Sequence, residues 1–217
     1  MDLLIFDLDG TLIDSKEDLA QAVNAARAHL GLPPIHNHLI HSYVGDGAPV
    51  LIRRALGPEA SEEDVQRALL FFLNYYGEHK LDYTRPYPGV PEALDQLRQA
   101  GVTMAVLTNK PVRISRAILE GLGLATNFRA IYGGNSFEYK KPHPVGVEAL
   151  LAECGAARER TMVVGDSAVD IRTARNAGVK ACGVTYGFQP DSFRDEPPDL
   201  LVDRMEELAA MVLAGAL

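Results

Sequence analysis

The spacing of apolar residues changes along the chain and divides it into regions of different structure. A short apolar run, Leu3–Phe6, predicts a buried strand. Apolar residues then recur at helical spacing, and the segment up to residue 82 carries almost no strand signal. The helices predicted there are Lys16–Leu30 with Ser15 as N-cap, a helix that follows Gly45-Asp46-Gly47 and ends near Leu56, and a helix that begins at Ser61 and continues through Tyr76. This region is predicted to be an all-helical insertion.

From Pro88 onward, short apolar runs alternate with segments of helical period. The predicted strands are Thr103–Leu107, Ala130–Tyr132, Thr161–Val164, Ala181–Val184 and Leu200–Val202. The predicted helices are Pro91–Ala100, Pro111–Leu122, Pro144–Glu153, Val169–Ala177 and one that starts at Met205. Such alternation is typical of a parallel sheet with helices on both faces, and the first strand belongs to the same sheet. We therefore predict an α/β core formed by residues 1–14 and 83–217, interrupted by an all-helical cap over residues 15–82.

Composition and charge narrow the possible partners. The chain has 217 residues, 47% of them hydrophobic, and a net charge of -8, which disfavours nucleic acid and anionic membrane surfaces as partners. No signal peptide is evident before the first strand, and no apolar stretch approaches the roughly 20 residues that span a bilayer. Cys154 and Cys182 lack paired spacing and are predicted to be buried free thiols. These features predict a cytoplasmic protein.

Residues with useful chemistry follow the predicted strands or precede the helices between them. They are, in chain order, Asp7, Asp9, Thr108, Asn109, Lys141, Asp166 and Asp170. Taken singly, each short segment also fits an ordinary turn, an N-cap or a solvated surface charge. Ligands of open α/β sheets bind at the carboxyl ends of the strands, so the occurrence of all these residues at such ends favours one shared site.

The carboxylates of this set suit a magnesium ion. Mg²⁺ prefers hard oxygen ligands and keeps several waters, so a few protein oxygens suffice. Asp7, the backbone carbonyl of Asp9, and Asp166 are the predicted ligands, with Asp170 as an outer ligand or as a residue that orients one. The cation also offsets the repulsion between clustered carboxylates.

The same residues suit phosphoryl transfer. An aspartate nucleophile, Asp7, would form an acyl-phosphate and divide hydrolysis into two steps. Asp9 would protonate the leaving oxygen and later accept a proton from the attacking water. Thr108, the amide of Asn109, and Lys141 would bind the phosphoryl oxygens, where stabilisation is mainly electrostatic.

Four segments of the chain resemble the motifs of the haloacid dehalogenase superfamily, in its phosphatase branch. They are FDLDGTLIDS (Phe6–Ser15), LTNKP (Leu107–Pro111), KKPHP (Lys140–Pro144) and GDSAVDIRTARNAG (Gly165–Gly178). The resemblance implies a Rossmann-like core with strand order 5-4-1-2-3, a helical cap inserted after the first motif, and dependence on Mg²⁺. It also implies Asp7 as nucleophile, Asp9 as general acid and base, Thr108 and Lys141 as phosphate ligands, and Asp166 as a metal ligand.

Within the superfamily, the second aspartate separates the chain from the dehalogenases, which lack it and use no metal. The segments Tyr43–Leu56 and Tyr87–Val90, together with the TNKP motif, resemble the phosphoglycolate phosphatases. The predicted substrate is therefore a small phosphorylated metabolite, and 2-phosphoglycolate is the leading candidate. Similar segments occur in pyrophosphatases, sugar-phosphate phosphatases and phosphomutases, which stay open as alternatives. A non-catalytic binding module is disfavoured, because binding alone would not require the nucleophile and its proton partner together.

The cap is expected to determine substrate choice, because the core residues contact only phosphate and metal. Gly45 and Gly47 could present backbone amides to the substrate, and Arg53 or Arg54 could offset the charge of Asp46. A plain helix start with solvated arginines is the alternative.

Other cap residues have ordinary structural interpretations. The three histidines between residues 36 and 41 lie in a loop-like segment whose spacing fits no metal geometry, so they are taken as surface residues. The aromatic residues Phe71, Phe72, Tyr75 and Tyr76 are expected to form cap core or a dimer surface. A monomer and a homodimer both stay possible.

Overall fold

The computed structural model describes all residues 1–217, which divide into two compact units. The first comprises Met1–Asp14 and Pro86–Leu217, and the second comprises Ser15–Arg85. The first unit contains a six-stranded sheet with the order β5-β4-β1-β6-β7-β8. Its strands are β1 (Leu3–Phe6), β4 (Thr103–Leu107), β5 (Ala130–Tyr132), β6 (Thr161–Gly165), β7 (Lys180–Val184) and β8 (Leu200–Val202). Two further strands of two residues, β2 (Ile13–Asp14) and β3 (Arg85–Pro86), pair with each other.

Every neighbouring pair in the large sheet is parallel, which confirms the predicted α/β class. The first strand lies in the middle, and its register places Phe6 opposite both Val106 and Val164. When the strands of this sheet are numbered in chain order, the first five have the order 5-4-1-2-3 that the family resemblance implies. The sixth, β8, lies beside β7 at one edge.

Helices cover the sheet of the first unit on both faces. They are α5 (Val90–Gln99), α6 (Val112–Gly121), α7 (Val145–Cys154), α8 (Ala168–Ala177) and α9 (Met205–Leu213). Successive side chains of a strand point to opposite faces, and all four residues of β1 are fully buried. Leu3 and Ile5 lie in one apolar cluster with Val147 of α7 and Ile171 of α8. The continuous apolar run of β1 is therefore explained by burial on both sides.

The second unit is built mainly of helices. They are α1 (Lys16–His29), α2 (Asn37–Ser42), α3 (Ala48–Leu56) and α4 (Glu62–His79). Ser61 caps α4 by accepting a hydrogen bond from the Asp64 amide at 3.1 Å. Ser15 occupies the N-cap position of α1, but its side chain makes no capping hydrogen bond. The chain around Tyr83 returns onto α1, where buried Asp18 accepts hydrogen bonds from the amides of Tyr83 and Thr84.

One expectation about the second unit needs correction, and the aromatic residues of α4 need a finer description. The histidine-bearing segment is not a loop, because Asn37–Ser42 forms α2, a helix with one buried residue, Ile40. The aromatic residues of α4 divide into two sets: Phe72 and Tyr76 are buried, whereas Phe71 and Tyr75 are half-buried and stack with histidines. Of these four aromatic residues, only Phe72 and Tyr76 therefore belong to the buried core of this unit.

Two further features bear on the composition-based predictions. No helix of the structure combines the length and the apolarity that crossing a membrane requires. Both cysteines are free thiols, as predicted, but only Cys182 is buried, and Cys154 is half-buried.

Candidate active site

The candidate residues of the first unit follow the carboxyl ends of three central strands. Asp7 follows β1, and its amide donates a hydrogen bond to the carbonyl of Val164 in β6 at 2.9 Å. Thr108 follows β4, and its amide donates to the carbonyl of Tyr132 at 3.1 Å. Asp166 follows β6 directly. Because the three strands are parallel and in register, these residues lie at the same edge of the sheet.

Lys141 contacts carboxylates of both the first and the fourth motif. Its Nζ lies 2.9 Å from Oδ1 of Asp7 and 2.6 Å from Oδ1 of Asp170. The side chain is almost completely buried, whereas the neighbouring Lys140 is exposed. Burial by itself lowers the pKa of Lys141, but the carboxylates of Asp170 and Asp7 raise it above its ordinary value. Lys141 therefore stays a cation among carboxylates.

Two asparagines hold the loop that carries Lys141. Asn109 donates a hydrogen bond from Nδ2 to the carbonyl of Lys141 at 3.1 Å. Asn176 of α8 donates from Nδ2 to the carbonyl of Pro142 at 2.8 Å. The loop is thus tied both to the end of β4 and to α8, which sets the position of the lysine backbone.

Asp170 and Asp166 differ in their surroundings. Asp170 accepts hydrogen bonds on both carboxylate oxygens: Oδ1 from Lys141, and Oδ2 from the amide and the hydroxyl of Ser167. Asp166 accepts a hydrogen bond on Oδ2 from the amide of Phe188 at 2.6 Å. The full engagement of Asp170 suits a residue that orients its neighbours.

Glycines allow the backbone to approach Asp166 closely. Gly10 has a φ of +82°, and a Cβ there would lie 2.2 Å from Oδ2 of Asp166. A Cβ on Gly187 would lie 2.2 Å from Cβ of Asp166. Side chains at either position would displace the carboxylate, so both glycines are needed for its present position.

Carboxyl oxygens of Asp7, Asp166 and Asp170 lie within 4.8 Å of one another. Burial, opposed by Lys141 and reinforced by Asp170, raises the pKa of Asp7 to about 6. Burial, then Asp170 and Asp7, also raise the pKa of Asp166 well above its ordinary value. The cluster therefore holds more negative charge than Lys141 offsets. Hard oxygen donors with excess negative charge fit a divalent cation such as Mg²⁺.

Asp9 has a cationic partner of its own. Nζ of Lys110 lies 2.7 Å from Oδ1 and 2.8 Å from Oδ2 of Asp9. Lys110 is not among the candidate residues predicted from the sequence. Its position within the TNKP segment, directly after Thr108 and Asn109, was the available signal. Thr108 and Asn109 are themselves buried at the same edge.

The two candidate glycines of the helical insertion belong to the second unit. Gly47 precedes α3 with a φ of +90°, and Gly45 has a φ of +125°. Of the nearby arginines, Arg54 pairs with Asp46 at 2.7 Å, and Arg53 pairs with Glu62. Both arginines are thus engaged with acidic residues of their own unit, and a role of Gly45 and Gly47 in substrate binding stays a prediction.

Residues 4–184 match the family model of haloacid dehalogenase-like hydrolases. The chain belongs to this family of hydrolases. The match covers more than half of the chain and includes most of β1, the helical insertion and the strands up to β7.

Relatives of this haloacid dehalogenase-like hydrolase carry more specific names. It is 40% identical to a phosphoglycolate phosphatase of Pseudomonas putida over 95% of this chain and 78% of that protein. It is 38% identical to a phosphoglycolate phosphatase of Vibrio parahaemolyticus over 99% of this chain and 97% of that protein. Among solved structures, a predicted phosphoglycolate phosphatase of Haemophilus somnus aligns with a TM-score of 0.91 at 34% identity, covering 100% of this chain and 98% of that one.

The charge cluster of this hydrolase predicts an unusual dependence of stability on pH. Without divalent cations, the Asp7 carboxyl has a pKa of about 6 in the folded protein, against 3.8 ordinarily. Below pH 4 it is protonated in both states and costs nothing, and above pH 6 the folded state bears the full cost of ionisation. The free energy of unfolding is thus expected to lose about 3 kcal/mol from this group as pH rises through that range. Asp166 acts in the same direction.

Denaturant unfolding of the wild type and Asp7→Asn in chelator, from pH 4 to 8, measures this effect. The variant is expected to be the more stable protein above pH 6, with the difference vanishing near pH 4. Asp95→Asn, which removes an exposed carboxylate of α5, is the control and should show no such trend. A difference between wild type and Asp7→Asn that does not change with pH would contradict the assignment.

Proposed function

We propose that this hydrolase is a Mg²⁺-dependent phosphatase that forms an aspartyl-phosphate on Asp7 and acts on a small phosphomonoester, with 2-phosphoglycolate as the proposed substrate. The observation that carries the proposal is the placement of Lys141 between Asp7 and Asp170, beside Asp166. An ammonium group and several carboxylates at one edge of a parallel sheet suit the binding of a phosphate dianion together with a cation.

In the first step, an oxygen of Asp7 forms a bond to phosphorus while the bond from phosphorus to the leaving oxygen breaks. Asp9 supplies the proton that the leaving oxygen takes up. In the second step, Asp9 takes a proton from water, the water oxygen bonds to phosphorus, and the acyl-phosphate bond breaks. Asp7 returns as a carboxylate and inorganic phosphate is released.

Several residues support these steps. Lys141 opposes the effect of burial on Asp7 and so favours its ionised, nucleophilic form. The proposed phosphate ligands are Lys141, the hydroxyl of Thr108 and the amide of Asn109. Asp7, the carbonyl of Asp9, and Asp166 would hold the magnesium ion, with Asp170 orienting the set through Lys141 and Ser167. When bound, the ion supplies positive charge that offsets the charge of the phosphate and of the carboxylates.

The substrate proposal relies on the names of relatives together with the Tyr43–Leu56 and Tyr87–Val90 segments. We propose that the helical unit acts as a cap, with Gly45 and Gly47 among the residues that contact the substrate. Phosphomutases are the second candidate class, because they share the same core residues. A cytoplasmic location and the oligomeric state stay predictions from the sequence.

A phosphate-release assay over a panel of phosphorylated metabolites, with Mg²⁺ or with chelator, tests the proposal. We expect release only with Mg²⁺, and a kcat/KM for 2-phosphoglycolate at least about tenfold above that for pyrophosphate or hexose phosphates. The reverse preference would overturn the substrate assignment. Activation by a bisphosphate, with isomerisation and no net phosphate release, would identify a mutase. No release from any compound would support a binding module.

A further inference from the structure

We propose that Lys110 is a positioning residue that orients the Asp9 carboxylate for proton transfer to and from the reacting oxygens. The inference depends on the proposed phosphatase function and concerns the same site. It assigns a role to a buried lysine that the ligand set for phosphate and metal does not use.

The geometry of the pair is the first argument. Nζ of Lys110 lies 2.7 and 2.8 Å from the two oxygens of Asp9, so it binds them almost equally. Rotation of the carboxylate about its Cβ–Cγ bond would break one of these contacts. The Lys110 side chain is only 5% exposed, and that of Asp9 is 12% exposed. Charge-assisted hydrogen bonds with so little competing water are strong and directional.

The backbone of Lys110 is itself held in place. Its amide donates to Oγ1 of Thr108 at 3.3 Å, and its carbonyl accepts from the amide of Gly134 at 2.9 Å. A Cβ on Gly133 would lie 2.6 Å from that carbonyl oxygen, so the two segments are in close contact. The lysine therefore extends from a fixed point, which a group that orients another side chain requires.

The two lysines of the site contact different carboxylates. Lys141 contacts Asp7 and Asp170, whereas Lys110 contacts Asp9. When one oxygen of Asp9 carries the proton to be donated, the other oxygen can still accept a hydrogen bond from Lys110. The tether thus persists in both steps, and its loss would remove both of these contacts, which help to hold the carboxylate toward the reacting oxygen.

The dependence of the rate on the leaving group isolates this role. An alkoxide leaving group needs a proton, whereas 4-nitrophenolate leaves without one. The experiment compares kcat/KM, which reports the first chemical step, for simple alkyl phosphates and for substituted phenyl phosphates without carboxylates. In Lys110→Met, we expect a loss of about 100-fold for alkyl phosphates and of less than about threefold for 4-nitrophenyl phosphate.

Comparisons with further variants sharpen the test. Lys180→Met, which removes an exposed lysine at the start of β7, should leave both rates unchanged. Asp9→Asn should show the same leaving-group pattern, and the double variant with Lys110→Met should be no slower than Asp9→Asn alone, since Lys110 acts through Asp9. Lys110→Arg, which keeps two donors for a carboxylate, should recover part of the loss.

Several results would overturn the role of Lys110. An equal loss on all leaving groups would make it a phosphate ligand. A rise in KM confined to 2-phosphoglycolate would make it a ligand of the substrate carboxylate. Additive losses in the double variant would show that it acts independently of Asp9. If Lys110→Met does not fold, Lys110→Gln takes its place. A wild type that releases no phosphate from any ester in Mg²⁺ would instead overturn the proposed function itself.

Discussion

Asp7→Asn is expected to abolish phosphate release while the protein stays folded. The amide has no anionic oxygen to attack phosphorus, so neither the acyl-phosphate nor its hydrolysis can follow. Losses at nucleophiles of other hydrolases suggest a fall in kcat on the order of 10⁴-fold or more. Phosphate release measures the rate, circular dichroism the fold, and acid-quenched labelling with ³²P-substrate the acyl-phosphate, which only the wild type should form.

The control for Asp7→Asn is again Asp95→Asn, which removes an exposed carboxylate of α5 that is not part of the site. It should match the wild type in rate. Turnover of Asp7→Asn close to that of the wild type would remove Asp7 from its role as nucleophile. Loss of turnover with loss of the fold would contradict the stability prediction, which expects the variant to be at least as stable above pH 6 without metal.

Lys141→Met is expected to lower both stability and rate. The change leaves Asp7 and Asp170 buried without their shared ammonium partner. Removal of one member of a buried ion pair typically costs about 3–5 kcal/mol of unfolding free energy. Because protonation of the carboxylates relieves this cost, the loss should be larger at pH 8 than at pH 5. The kcat should fall by about 10²–10³-fold, as for the removal of one donor to a charge that develops in the transition state.

The adjacent lysine provides a matched control for this prediction. Lys140 is exposed, whereas Lys141 is buried against the carboxylates. Lys140→Met should therefore change neither unfolding free energy nor kcat beyond experimental error. Equal effects of the two substitutions would contradict the prediction. They would show that the contacts of Lys141 with Asp7 and Asp170 are not the cause of the losses in stability and rate.

Much of the fold follows from local patterns. The bounds of β4 and β5 agree with the apolar runs Thr103–Leu107 and Ala130–Tyr132, because strands buried on both faces need continuous apolar sequence. Most helices differ from their predicted bounds by a residue or two, as expected where caps and last turns are ambiguous. The exception is α2, which was missed because six residues with one buried side chain carry almost no periodic signal.

The residues of the candidate site could be predicted from the sequence, but the contacts between them could not. Residue types and their places after strands or before a helix predict phosphate and metal chemistry at Asp7, Thr108, Lys141 and Asp166 from the sequence alone. The pairing of Asp9 with Lys110 could not be predicted in this way, because the two residues are 101 positions apart and no local pattern relates them. Nor does the sequence show that Asp170 accepts from Lys141 and from Ser167 together.

The amino-acid order alone established the class of fold and most element bounds, because hydrophobic periodicity and turn chemistry depend on residues close in sequence. It also predicted the candidate reactive groups. Tertiary structure decided which ammonium meets which carboxylate. Those pairings arise only when β1 lies between β4 and β6 and brings distant loops to one edge of the sheet. Contacts between segments so far apart depend on the packing of the whole unit.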